Sequence, residues 1–448
     1  MYSGKITNIP ADSNESASGA GSTTEHCKGG IKKDPKQIKI RFRLFFDGTG
    51  NNRTNVGLGE NGATLIGNDS YFAAESNVSR LEQLITKDKV ADHSFSAYVE
   101  GIGTQDSGRD IPEGMALGTG LTGVTAKVEA GFENLVSRIV RLPGGVKRIE
   151  YVHLDVFGFS RGAAAARNFV YATLMNSGDT LRDRLTAKGF TVGKIEVKFM
   201  GLFDTVASYG VVHKNDSSDL NLDAVKKAER VVQLAAAEEH RKNFRLTNIA
   251  SAKKKGLQIF LPGVHSDVGG GYNELGDATE EKLQILDLDG LFGLNNAGKS
   301  ALEREQRWLL QSGWYSQEEI NAVSSFNELT VTRRGISNRY SYLPLLLMSR
   351  LAGEAGVAFS PRIETTYPVP EKLKVARKEI DSYVAGVSGG RESHADDWFR
   401  SSSPMMKDLR HRFLHFSAFF GSTAGANEPQ FTDDDPVHGR RERIIQNG

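Results

Sequence analysis

Cysteine is nearly absent: Cys27 is the single one among 448 residues. One thiol excludes an intramolecular disulfide and a thiolate metal cluster. Cys27 lies in a polar, Gly/Ser-rich stretch and reads as a free surface thiol, so the fold is expected to form without staples. Long apolar runs are absent too. The most apolar stretch, Tyr342 to Met348, meets Arg350 and Glu354 too early for a membrane span. The opening residues MYSGKITNIPADSNES lack a basic segment followed by an apolar one, so no secretory signal is expected and synthesis is expected in the cytoplasm. Nor is there excess charge of either sign. Lys and Arg number 56 against 55 Asp and Glu, a formal net charge of +1, which gives no bulk electrostatic support for a nucleic-acid partner.

What is present is ordinary for a globular protein: 39% hydrophobic and 25% charged residues, enough to bury a large core. Residues 1–36, rich in Ser, Gly, Asn and Lys, read as a disordered arm. Order is expected from Gln37, where QIKIRFRLFF alternates and then turns fully apolar before Asp47-Gly48-Thr49-Gly50-Asn51-Asn52, a dense turn signal. Further strands are predicted over Phe95–Glu100, Ile149–Phe157, Ile195–Phe203 and Leu257–Leu261. Glycine-rich residues 106–124 read as a loop over one face. Residues 125–141 have the apolar spacing of a helix (Val128, Phe132, Leu135, Val136, Ile139), and Gly162–Met175 follows the third strand as an Ala-rich one. Residues 222–244 are predicted to be a charged amphipathic helix. Strands alternating with helices predict an α/β fold with a mostly parallel central sheet and helices on both faces. Its catalytic core is expected over 37–275. Residues 276–448 are expected to be mainly helical, completing or capping the core, with polar helix at 280–330 and helices near 339–357 and 368–387.

Every unusual residue falls at the carboxyl end of a predicted strand, where open parallel sheets bind ligands. Gly158-Phe159-Ser160-Arg161-Gly162 joins an apolar strand to a helix. Such a turn lifts a serine hydroxyl above the sheet, while the flanking glycines let strand and helix backbones approach. The N–H of Arg161, the next residue, is positioned to stabilise an oxyanion. A serine nucleophile needs a base held by a carboxylate. Of ten histidines, His26 lies in the arm, His153 is inside a strand, and His213 and His240 sit in polar surroundings. His265 follows a strand end among small residues and is the candidate base. Asp204, closing the strand that ends Gly201-Leu202-Phe203, is the candidate acid; Asp267, two residues past His265, is the alternative. The order Ser160, Asp204, His265 is that of α/β-hydrolases. The loop after the first strand offers a second oxyanion donor, the N–H of Gly48 or Thr49, with the Asp47 side chain bracing it. This chemistry calls for no metal and no cofactor.

Taken together, Phe45–Asn52, Gly158–Ala163, Phe203–Val206 and Val264–Tyr272 resemble the first family of bacterial type VI secretion lipase effectors, whose catalytic region is an α/β-hydrolase. The motifs occur in the family's order over roughly 38–275, with weaker similarity at 339–357. The resemblance implies a serine phospholipase of A1 or A2 type, with Ser160, Asp204 and His265 as its triad and a membrane phospholipid as substrate. It also implies delivery by a secretion spike protein into the periplasm of a rival cell, and a cognate immunity protein. Two other readings compete on the enzyme itself: a general esterase on soluble substrates, and a non-catalytic binding module on a hydrolase fold. A third, phosphohydrolysis with Asp47 as nucleophile or its partner, is similar to haloacid-dehalogenase chemistry. It requires a second aspartate two residues away, and positions 49 and 45 hold Thr49 and Phe45.

Overall fold

The computed structural model describes residues 37–62, 69–112, 114, 118, 120–145, 147–207, 219–274, 280–286, 296–324, 328–419, 428–430 and 441–448. The arm expected over 1–36, with His26 and Cys27, lies outside these residues, as do His213 and part of the glycine-rich stretch 106–124.

Six strands form the central sheet: β1 (Gln37–Phe46), β2 (His93–Val99), β3 (Arg148–Phe159), β4 (Thr191–Phe203), β5 (Arg230–Ala236) and, after the two-residue β6 (Leu246–Thr247), β7 (Gly256–Leu261). Their order is β2-β1-β3-β4-β5-β7, and every pairing is parallel. A parallel sheet is covered on both faces, and two apolar clusters do this here. Alternation along each strand divides its side chains between them. From β1, Ile38, Ile40, Phe42, Leu44 and Phe46 join one cluster and Phe45 the other. From β3, Val152, Leu154 and Val156 separate from Phe157 and Phe159 in the same way. Helices Val124–Val140 and Ser160–Leu174 complete the first cluster; Tyr342–Glu354 and Lys374–Ser388 belong to the second. The architecture is α/β, with helices on both sides of a parallel sheet.

The stretch 222–244 differs from its sequence reading. It holds a short 3-10 turn, Leu222–Lys227, and then β5, whose residues after Arg230 are all buried. A strand covered on both faces shows no alternation, and its Ala, Leu and Gln are also good helix formers, so periodicity misassigned it. The expected polar helix over 280–330 is likewise three elements: β8 (Glu280–Leu286), the helix Asn296–Ser312 and β9 (Glu328–Arg334), with β8 and β9 antiparallel. A last short strand, β10 (Ile445–Gln446), runs parallel to β6. No helix among the described residues is long and apolar enough to cross a membrane.

Along the chain, β2 adds to one side of β1 and β3 to the other, so winding reverses between β1 and β3. Crevices for ligands open beyond the carboxyl ends of strands at such reversals. The loops that leave β1 and β3 are Asp47–Asn52 and the turn at Ser160.

Candidate active site

The turn between β3 and its helix carries Ser160 in the left-handed region, φ 57°. Left-handed backbone at a residue with a Cβ costs of order 1–3 kcal/mol and persists only where surrounding structure enforces it. The enforcing contacts are visible. A Cβ on Gly162 would lie 2.1 Å from the carbonyl oxygen of Asp47, so only glycine lets this helix start against the loop after β1. The Ser160 carbonyl accepts the Val206 N–H at 3.3 Å, tying the turn to the end of β4. Ser160 itself is buried.

Asp204 directly follows β4, also with positive φ, 38°. Its carboxylate is fully buried, and both oxygens are occupied. Oδ2 lies 2.6 Å from His265 Nδ1, while Oδ1 accepts from the Ala236 N–H at 2.9 Å and from the Arg443 guanidinium at 2.7 Å. Burial alone would raise its pKa; the Arg443 cation and the His265 contact outweigh burial and hold it below the usual carboxylate range. An ionised carboxylate only accepts, so His265 Nδ1 carries the shared proton and Nε2 is left with its lone pair. Burial lowers the His265 pKa more than Asp204 raises it, which keeps the ring neutral at neutral pH. Neutral imidazole with a free Nε2 is the form that can accept a proton.

His265 opens the short helix His265–Gly269 directly after β7. Its ring lies 4.6 Å from the Phe159 ring and 5.0 Å, edge to face, from that of Phe244. A Cβ on Gly269 would fall 2.0 Å from the Phe159 ring, so the glycine after this turn makes room for the aromatic floor. The His265 N–H donates to Glu239 Oε2 at 3.2 Å. Glu239 is in turn gripped by Arg241 through Nε at 2.9 Å and Nη2 at 2.8 Å. Burial opposes its charge, and the Arg241 cation more than compensates, leaving its pKa far below normal.

Asp267 is engaged elsewhere. Its Oδ2 accepts the N–H groups of Val264 at 3.0 Å and His415 at 3.1 Å, and its Oδ1 lies 2.7 Å from His415 Nδ1. It therefore holds the turn that presents His265, while the carboxylate hydrogen-bonded to the His265 ring is that of Asp204. In the loop after β1, the Gly48 N–H donates to Asp47 Oδ1 at 2.7 Å, and Tyr98 donates its hydroxyl to Asp47 Oδ2 at 2.5 Å. Burial pushes Asp47 up to about 6, against these hydrogen bonds. With the Gly48 amide so occupied, the Thr49 amide remains as the candidate donor of this loop. Arg161 Nε donates to Thr49 Oγ1 at 2.8 Å and so joins the serine turn to that loop; burial lowers the Arg161 pKa to about 10. Among the described residues, no group of three or more His, Cys, Asp and Glu side chains could hold a metal ion.

The sequence singles out Ser160, Asp204, His265 and the loop after β1 as candidates; it gives no sign of Glu239, Arg241 or Arg443, which the structure places around the Asp204–His265 pair. Glu239 and Arg241 follow the strand that was read as helix. Of the other histidines, His153 is only partly buried and sits 2.9 Å from Glu196, whereas His240 is buried, with its ring edge-on to Phe399 and with Arg441, Glu239 and Arg443 among the charges around it.

Residues 41–178 and 176–289 match the family described as "T6SS, Phospholipase effector Tle1-like, catalytic domain", more than half of the chain. A solved structure of the Tle1 effector bound to the VgrG spike from the type 6 secretion system is similar in fold, with a TM-score of 0.63 and 22% identity over 95% of this chain and 99% of that one. The crystal structure of an uncharacterized protein from Pseudomonas aeruginosa covers 80% of this chain and 52% of its own, at 20% identity and a TM-score of 0.39. No curated protein matches the sequence.

Proposed function

The chain belongs to the family of Tle1-like phospholipase effectors of type VI secretion, and from that premise we propose that it is a serine carboxylic ester hydrolase of phospholipase A1 or A2 type. The observation that carries the proposal is the 2.6 Å contact of His265 with Asp204, at the same carboxyl edge of the parallel sheet where the turn after β3 holds Ser160 at φ 57°. In the proposed reaction, Ser160 Oγ attacks the carbonyl carbon of an ester, and its proton passes to His265 Nε2. The oxyanion that forms is met by the amides of Arg161 and Thr49. Collapse breaks the bond to the alkoxy oxygen, which takes the proton from His265 and leaves as the lysophospholipid. Water, deprotonated by the same ring, then releases the fatty acid from Ser160. Asp204 stays ionised throughout and fixes the tautomer.

Family membership supports a wider setting for this chemistry: delivery by a spike protein, action on phospholipid in the periplasm of a target bacterium, and a cognate immunity protein in the producer. The effector solved on the VgrG spike is one precedent for spike delivery. The test of the chemistry is product analysis on vesicles of defined phosphatidylethanolamine and phosphatidylglycerol. Wild type should yield lysophospholipid and free fatty acid in equal amounts, and Ser160→Ala neither; a fluorophosphonate probe should label wild type alone. Equal product from both proteins would end the proposal.

A further inference from the structure

The acid of the candidate triad receives a cation from a distant part of the chain. Arg443 donates through Nη2 to Asp204 Oδ1 at 2.7 Å, and both side chains are buried. Its other terminal nitrogen reaches the carbonyl oxygens of Glu239, at 3.3 Å, and Phe244. Nε has no partner among the described residues, so the guanidinium is spent on Asp204 and on the segment after β5.

The backbone that carries Arg443 is fixed as firmly. β10 follows it and pairs with β6, Ile445 opposite Leu246 and Gln446 opposite Thr247. β6 is tied to the triad by the Thr247 N–H, which donates at 2.9 Å to the carbonyl of Thr205, next to Asp204. From below, the buried Arg167 donates to the carbonyls of Thr247 at 3.1 Å, Asn248 at 3.0 Å and Leu222 at 2.9 Å.

A carboxylate removed from water resists ionisation unless a cation or several donors stand beside it. Around the His265 ring the charged groups are Asp204 at the end of β4, Glu239 and Arg241 after β5, and Arg443. Glu239 and Arg241 neutralise each other at 2.8 Å. Asp267, on His265's own turn, is bonded to His415. Arg241 and Arg443 both act on this cluster, and Arg443 is the cation in direct contact with Asp204.

We propose that Arg443 is a positioning residue for the hydrolysis: it keeps the Asp204 carboxylate ionised and turned toward His265. The proposal rests on the triad reading above. Without the cation, a proton on the Asp204–His265 pair is no longer opposed, so the pair holds it to higher pH. The lone contact of Ala236 N–H then also leaves the carboxylate freer to rotate.

The experiment compares full-length wild type, Arg443→Gln and Arg443→Lys on p-nitrophenyl butyrate across pH, with circular dichroism to establish folding. In Arg443→Gln, which keeps N–H donors and loses the charge, kcat should fall at least about tenfold with little change in KM, and the acid limb of the kcat/KM profile should move up by about one pH unit or more. Arg443→Lys should return the limb close to its wild-type position while kcat stays several-fold low, because a point charge on a shorter stem does not hold the carboxylate's angle. A folded Arg443→Gln with an unmoved limb overturns the proposal. Should Arg443→Gln fail to fold, wild-type kcat in Arg443→Lys overturns it instead. Ser160→Ala and His265→Ala run alongside: activity surviving in them defeats the triad reading, whereas their inactivity with an unmoved limb in Arg443→Gln defeats the role of Arg443 alone.

Discussion

Asp204→Asn and Asp267→Asn place the same substitution on two carboxylates that each hold a histidine, and they should behave very differently. Asn offers one acceptor oxygen and one amide nitrogen that only donates. At position 204 the side facing Arg443 and the Ala236 N–H meets two donors, at 2.7 and 2.9 Å, so the oxygen of Asn must lie there. The amide nitrogen is then turned to His265 Nδ1, formerly 2.6 Å from Oδ2, and the ring must accept at Nδ1 and carry its proton on Nε2. That tautomer cannot take the serine proton. Loss of kcat should approach about 10⁴-fold, as measured for a triad acid replaced in this way, equivalent to about 5.5 kcal/mol of transition-state stabilisation. At position 267 the oxygen can stay on the two backbone N–H groups of Val264 and His415, with the amide nitrogen turned to His415 Nδ1. His415 can answer by moving its proton to Nε2, which has no partner among the described residues. Asp267→Asn should therefore cost about 1–2 kcal/mol of stability and leave kcat within about tenfold of wild type. The assay is kcat on a monomeric ester at pH 8, with urea unfolding for stability. Near-full activity in Asp204→Asn, or a larger kcat loss in Asp267→Asn, would refute the reasoning.

Two further outcomes follow from packing and from buried charge. In Gly162→Ala, the new methyl group would meet the carbonyl of Asp47 at 2.1 Å and that of Phe46 at 2.6 Å. Overpacking against backbone typically costs ~1–3 kcal/mol, so the thermal midpoint should fall by several degrees and activity should drop further than the midpoint alone explains; an unchanged midpoint would show that the helix start can move. His240 is buried, and burial, with Arg441 adding to it, lowers its pKa from 6.5 to about 3. The neutral ring is thus favoured in the folded state, so its contribution is complete above pH 6.5 and is lost progressively as pH falls toward 3, up to about 5 kcal/mol in all. Urea unfolding of wild type and His240→Gln between pH 7 and 4 should show a shallower fall in the variant, and parallel curves would contradict the assignment.

The parts of the site that were legible in the sequence share one property: each closes an apolar strand with residues a strand does not favour. Phe46 gives way to Asp47-Gly48, Phe159 to Ser160, Phe203 to Asp204, and a buried run through Leu261 to His265. β1, β3, β4 and β7 were readable for the same reason. β5 was not, because Val231–Ala236 is buried on both sides and its composition also suits a helix. Misreading it hid the charges behind it. Glu239 and Arg241 look like an exposed helical face until the strand is recognised, and then they become an ion pair with Glu239 fully buried and Arg241 largely so. Arg443 left no local signal, since its partner Asp204 lies 239 positions away and only the fold brings them together. Asp204 and Asp267 could not be separated by sequence because each stands near a strand end beside His265; the choice depends on the direction of one carboxylate.

The pairing of β10 with β6 has a consequence for the order in which the chain assembles. It closes a loop whose ends are about two hundred residues apart, Thr247 to Gln446 being 199. Contacts across such spans come late, after local and shorter-range structure has formed. Synthesis runs in the same direction. A nascent chain can have all six strands of its sheet outside the ribosome while Asp204 still waits for its counter-charge.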